Sequence, residues 1–296
     1  MTTPFKSDKI VFPKTRFIFL WLLLFNLGFA SLYGILQPLI PFFPHAEDPI
    51  VAQILYSCSF ISLCFYLIQE LCQSKVNPQY IVGNLRPRYR FGSLLGLTIV
   101  FILFSIGAAL VSFHVLSIFA PEFYESFMKQ IAEQESQTSA TPILNGCWQT
   151  FNYVAVAPIT EEFIFRGVLL QRLAMKWNLP VAIWISSIIF GLLHPNPIGI
   201  AAVGVAWALL YIKTRTLIVP IIAHSINNGI VVLGDFATGW LEQDNSVSAT
   251  GDEWIAGLVF IALSLPFVLM FIYRQFPNKD KTLPYFANAA KAMNQS

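Results

Sequence analysis

Residues 91–120 read FGSLLGLTIVFILFSIGAALVSFHVLSIFA, an apolar run without a single Asp, Glu, Lys or Arg. A helix that crosses the hydrocarbon core of a bilayer needs about 20 mainly apolar residues, and this stretch exceeds that. Similar runs lie on both sides of it: 17–36 and 50–68 before, then 143–170, 179–193, 198–212, 216–234 and 254–273 after. About eight such helices make an all-α, polytopic transmembrane bundle the expected fold class. Composition agrees, because only 11% of the 296 residues are charged, against about 25% in soluble domains. A net charge of +2 is too small to point to nucleic acid, so the lipid bilayer is the expected surrounding.

Basic residues test the span count independently, because cytoplasmic loops collect Lys and Arg. Threading the chain through eight spans puts Lys6, Lys9, Lys14 and Arg16 on the same side as Lys75, Arg86, Arg88 and Arg90. Arg172, Lys176, Lys213, Arg215, Arg274, Lys279, Lys281 and Lys291 fall there too. The opposite side holds Lys129 together with Glu122, Glu125, Glu133, Glu135, Glu242, Asp244, Asp252 and Glu253. Both termini are therefore expected in the cytoplasm. The first apolar run is longer than the 7–15 residues of a signal-peptide core, so a retained helix is expected.

Three regions follow: 1–142, with the first three helices and an external loop; 143–235, where the chemistry concentrates; and 236–296, with the last helix and a cytoplasmic tail. Residues 130–142 read as polar external loop, with a short amphipathic helix before it, and the chain beyond Arg274 as a short, polar, disordered tail. Cys58, Cys64, Cys72 and Cys147 lie in or beside apolar stretches without zinc-site spacing and are expected to act as small hydrophobes. The run 198–212 is rich in small residues, including Gly199, Gly204 and Ala208. Such residues let helices approach closely, which places this helix inside the bundle, beside the chemistry.

Ionisable residues within spans are costly and usually functional. They cluster in the second half of the chain: Glu161, Glu162 and Arg166 in the fourth span, Phe190 and His194 at the end of the fifth, His224 and Asn228 in the seventh. Glu162 and Arg166 are four apart with the acid first, the favourable order for a helical ion pair. Arg166 is expected to hold that carboxylate by a two-pronged fork, leaving Glu161 free on another side of the helix. His224 and Asn228 share a face, and Phe190 lies one turn before His194. Glu161 is ~16 Å along a helix from Arg172, His194 ~22 Å from Leu179, and His224 ~12 Å from Thr216, so all three can meet inside the membrane. His114 stands alone and reads as a packing residue.

Three functions fit such a cluster. Buried polar pairs that tie helices together explain Glu162 and Arg166 but not the second glutamate, two histidines and an asparagine. A proton or ion pathway uses such residues, though here they form one cluster rather than a string. A hydrolase uses a carboxylate and an imidazole to take a proton from water, with a histidine and an amide to stabilise an oxyanion. Neither the serine elbow G-x-S-x-G nor the zinc motif H-E-x-x-H is present.

Glu161-Glu162-x-x-x-Arg166, Phe190-x-x-x-His194 and His224-x-x-x-Asn228 resemble the three motifs of the CAAX protease and bacteriocin-processing (CPBP, or Abi) family of intramembrane proteases. That family includes the type II CAAX prenyl endopeptidase. The resemblance spans about residues 143–235, and Arg166-Gly167 matches as well. It implies a membrane peptidase acting on a peptide or protein substrate in or at the membrane; separately, a bacterial plasma membrane is the expected location. It also implies roles: Glu161 as general base, His194 orienting the water, His224 and Asn228 stabilising the oxyanion, and Glu162 and Arg166 holding the constellation in place. The family is often labelled metalloprotease, and Glu161, His194 and His224 are the three ligands a Zn²⁺ site would use. Similarity to the CAAX enzyme favours glutamate catalysis without metal. Some members resemble scaffolds that bind a partner without cutting it.

Overall fold

A computed structural model describes residues 11–39, 49–85, 89–139, 143–242 and 252–295. All regular structure among them is helical, so the all-α expectation holds. The helices are α1 (Thr15–Leu36), α2 (Pro49–Gln73), α3 (Pro78–Val82), α4 (Phe91–Phe119) and α5 (Pro121–Ser139). Next come α6 (Ile143–Phe151), α7 (Ala157–Glu162), α8 (Leu170–Lys176), α9 (Leu179–Leu192) and α10 (Pro197–Thr214). The last three are α11 (Ile218–Glu242), α12 (Glu253–Gln275) and α13 (Pro284–Met293). Every expected span carries a helix. By length and composition α1, α2, α4, α10 and α12 suffice to cross a membrane, while α9 and the stretch Ile218–Gly234 of α11 are shorter apolar helices.

The fourth span is one helical run in which two wider π-helical stretches, Asn152–Val156 and Phe163–Leu169, separate α6, α7 and α8. Such widenings are rare and frequent at functional sites. The first has a readable cause. Ala157 N–H bonds to Asn152 O, five residues back. The next rung would run from residue 158 to Tyr153 O, but residue 158 is proline and has no N–H. Tyr153 O is therefore left for another donor.

The bundle is layered around α10, the most buried of the span-length helices, as its small residues led us to expect. It packs between α9, α4 and α11. Two close approaches need glycine. A Cβ on Gly191 would run into the carbonyl of Pro197, and one on Gly199 would meet Ser105 of α4. Between them Asn196 caps α10 by accepting from Gly199 N–H, and its amide donates to Ser105 O at 2.8 Å. The turn that carries His194 is thus pinned to α4. On the outer side α12 lies along α4 and α1 along α2.

Three expectations need correction. Residues 121–139 are helix α5 rather than a loop beginning at 130; residues 140–142 lie outside the described set. The tail is not structureless either. Pro284 opens α13 at a position where its missing N–H costs nothing, and Tyr285 and Ala289 are buried. Tyr285 N–H donates to Gln171 Oε1 at 3.2 Å, Gln171 Nε2 donates to Tyr211 Oη at 3.1 Å, and Tyr211 O–H donates to Ile81 O at 2.8 Å. A buried polar chain with partners at every step ties α13 to α8, α10 and α3, which polar composition alone did not reveal. The helix of the seventh span, α11, also continues past residue 234, to Glu242.

Candidate active site

Glu161 and Glu162 end α7, and both are buried. Glu162 is fully enclosed, and its Oε1 accepts from Arg166 Nη1 at 2.8 Å and from His224 Nδ1 at 3.0 Å. Arg166 does not fork onto the carboxylate as expected. Its second nitrogen, Nη2, donates to Gly204 O of α10 at 3.1 Å. The split ties the fourth span to α10. Arg166 also lies over the Phe190 ring, 4.3 Å from its centroid. Phe190 packs against His194 at 4.7 Å and His224 at 5.9 Å, forming an apolar wall behind both imidazoles.

The partners of each imidazole assign its tautomer. His194 Nδ1 is 2.7 Å from Phe190 O. A carbonyl only accepts, so Nδ1 carries the hydrogen, and in the neutral ring Nε2 is an acceptor. His224 Nδ1 donates to Glu162, so its Nε2 accepts when the ring is neutral and donates when it is cationic. Both Nε2 atoms stand 4.0 Å from Glu161 Oε2. That oxygen is buried and has no hydrogen-bond partner among the described residues. Its sibling Oε1 accepts from Tyr56 O–H of α2 at 2.5 Å.

Asn228 sits one turn beyond His224 on α11. Its Nδ2 donates to Tyr153 O at 2.9 Å, the carbonyl orphaned by Pro158, and its Oδ1 accepts from Asn227 at 3.1 Å. One amide hydrogen is thereby engaged, and no direct bond joins Asn228 to Glu161, His194 or His224. The fold therefore gathers Glu161, Glu162, Arg166, Phe190, His194 and His224 into one network, with Asn228 at its edge. His194, at 28% side-chain exposure, is the open side. Sequence reasoning missed Tyr56 and Asn227. Tyr56 carries no motif; Asn227 is adjacent to a residue already singled out.

The Zn²⁺ alternative is testable on distances. Zn²⁺ sits about 2.0–2.2 Å from nitrogen and oxygen ligands, so tetrahedral ligands stand roughly 3.3 Å apart. The two 4.0 Å separations from Glu161 are wider, and among the described residues no group of three or more His, Cys, Asp or Glu is arranged to hold a metal ion. As placed, the three side chains do not fit the ion.

Compared with known proteins, residues 143–230 match the family described as Type II CAAX prenyl endopeptidase Rce1-like. Through that segment the chain is similar to the CAAX protease family. Two relatives carry the same resemblance. YdiL of Bacillus subtilis (strain 168), described as a candidate membrane peptidase, is 38% identical over 96 residues, or 31% of this chain and 39% of the relative. The membrane-embedded CAAX protease MroQ of Staphylococcus aureus (strain USA300) is 40% identical over 88 residues, or 26% of this chain and 35% of the relative. The matches thus span well under half of either relative. No solved structure matches. With its apolar helices, the chain is a multi-pass membrane protein. The family segment holds every motif residue named above, but not Tyr56.

Proposed function

We propose that the chain is an intramembrane endopeptidase that activates water with Glu161 and His194. One observation carries the reading: a partnerless, buried carboxylate oxygen faces two imidazole nitrogens at 4.0 Å each. A water molecule with hydrogen bonds of about 2.8 Å bridges such a gap. In this arrangement it donates one hydrogen to Glu161 Oε2 and the other to His194 Nε2. One oxygen lone pair then points at the scissile carbonyl carbon.

The steps follow from the polar groups. The water oxygen attacks the carbonyl carbon while Glu161 takes its proton. Negative charge moves to the carbonyl oxygen. His224, as imidazolium with Nδ1–H held by Glu162, donates Nε2–H to that oxyanion, and the open amide hydrogen of Asn228 supplies a second bond. Glu161 then passes its proton to the leaving nitrogen, the C–N bond breaks, and a carboxylic acid and an amine are released; the acid's remaining proton passes to the amine, leaving a carboxylate and an ammonium. Arg166 balances Glu162 throughout, so that carboxylate stays anionic beneath His224. The substrate is a peptide at or in the membrane. A prenylated C-terminal tail fits the family description, and leader peptides and membrane segments remain alternatives. The names of the relatives support the same class of activity.

Protein reconstituted in vesicles is expected to cleave members of a panel of quenched fluorescent peptides, some with a prenylated cysteine near the C-terminus. Glu161→Gln is expected to lower turnover by ~10²–10⁴, the usual contribution of a general base. Equal cleavage by that variant would overturn the role of Glu161. Peptide retention without cleavage by the wild-type protein would favour a scaffold.

A further inference from the structure

We propose that Tyr56, on the second helix and outside the family segment, is the positioning residue that aims Glu161 at the water. The proposal rests on the glutamate reading above and adds a residue to it. Tyr56 O–H donates to Glu161 Oε1 at 2.5 Å. Phenol to carboxylate is a charge-assisted hydrogen bond, among the stronger kinds. A glutamate side chain has three rotatable bonds, and nothing else among the described residues bonds to either Glu161 oxygen. With Oε1 held by Tyr56, Oε2 is the atom left facing His194 and His224.

The anchor is itself held in register. Helix α2 and the run from α6 to α8 lie side by side in the same direction, because residue 57 meets residue 152 and residue 64 meets residue 160. Ser57 Oγ donates to Asn152 Oδ1 at 2.8 Å, and Cys64 Sγ lies 3.8 Å from Thr160 O. These contacts fix the sliding of α2 along the catalytic helix. The Tyr56 ring is stacked on Phe60, one turn on, with centroids 4.3 Å apart and planes 28° apart. The hydroxyl therefore comes from a rigid element, as a precisely oriented base requires.

Two effects of this bond oppose each other. A hydrogen bond to the ionised carboxylate is stronger than one to the protonated acid. It stabilises the state before proton transfer and so weakens Glu161 as a base. Orientation works the other way, because a misplacement of about 1 Å can cost 10²-fold in rate. The expected sign follows from the size of the second effect: removing the hydroxyl slows turnover.

The test is Tyr56→Phe, which deletes one oxygen and keeps the stacked ring. It is read in vesicles with the fluorescent peptide that wild-type protein cleaves fastest. The expected result is a kcat lower by ~10–10²-fold with KM within about twofold, since Tyr56 acts on the base and not on the peptide. In a Glu161→Gln background the same change is expected to have no further effect, because residues that act through one another are non-additive. Asn288→Ala serves as the control. It breaks the contacts of α13 with Tyr80 O and Arg215 O without touching Tyr56 or Glu161, and should lower thermal stability while leaving kcat near wild type. A Tyr56→Phe kcat equal to or above wild type, or losses that multiply with Glu161→Gln, would overturn the proposal. Full activity of Glu161→Gln alone would instead sink the glutamate reading on which it rests.

Discussion

Glu161 and Glu162 are neighbours in sequence, yet each has a different job because each has different partners. Glu162 is enclosed and shares one oxygen between Arg166 and His224. Glu162→Gln would leave the Arg166 charge buried and uncompensated, which typically costs about 3–5 kcal/mol. It should therefore lower both melting temperature and turnover, whereas Glu161→Gln should lower turnover and leave melting nearly unchanged. Similar melting losses in the two variants would contradict this division. Arg166→Lys is expected to restore little, because one ammonium cannot meet Glu162, Gly204 O and the Phe190 face with the guanidinium's planar geometry. The metal question also belongs to single residues. Glutamate catalysis predicts substoichiometric metal by elemental analysis and full activity after exhaustive chelation. One bound equivalent whose removal and return switch activity off and on would make Glu161, His194 and His224 ligands instead.

At the scale of one helix, the missing N–H of Pro158 reaches across to the seventh span. It leaves Tyr153 O unbonded within its own helix, and that carbonyl holds the Asn228 amide at 2.9 Å. Pro158→Ala supplies the absent donor, which competes for Tyr153 O and releases Asn228. The variant should keep or gain stability, since a proline inside a helix is unfavourable by about 3 kcal/mol. Turnover should nevertheless fall towards the ~10²–10³-fold loss typical of a missing oxyanion donor. Asn228→Ala gives the upper limit for comparison. Unchanged turnover in both variants would remove Asn228 from the chemistry and leave it a tether between two helices. The π-helical stretch after Glu162 is a second local feature; it places Arg166 where Nη2 meets Gly204.

For the whole molecule, the distribution of charge makes a prediction about orientation. Sixteen basic residues lie on one side of an eight-span threading, and one, Lys129, lies on the other. Reporter fusions at Ser139 and Ser248 are expected outside and one at Asn84 inside. A cytoplasmic signal from Ser248 would rule out eight spans. Helices α3 and α13 meet near Asn84, where the Asn288 amide donates to Tyr80 O and Arg215 O. The tail is thus part of the cytoplasmic face in this threading, not an appendage to it.

The sequence by itself determined the all-helical membrane fold, because hydrocarbon leaves the backbone no partner but itself and long apolar runs must form helices. It also determined which residues could share a helical face, since that depends only on local spacing: Glu162 with Arg166, Phe190 with His194, His224 with Asn228. Pro158, whose missing N–H frees a carbonyl, and Pro284, which opens α13, were not read as such from the sequence. Only the tertiary structure decided what meets between helices. Tyr56 and Glu161 are 105 positions apart, and no periodicity within either helix reports how one is rotated or slid against the other. Packing at Ser57, Cys64 and Phe60 sets that register. Rotation and register come from the sum of many side-chain contacts, so the local pattern named the groups and the packing chose their partners.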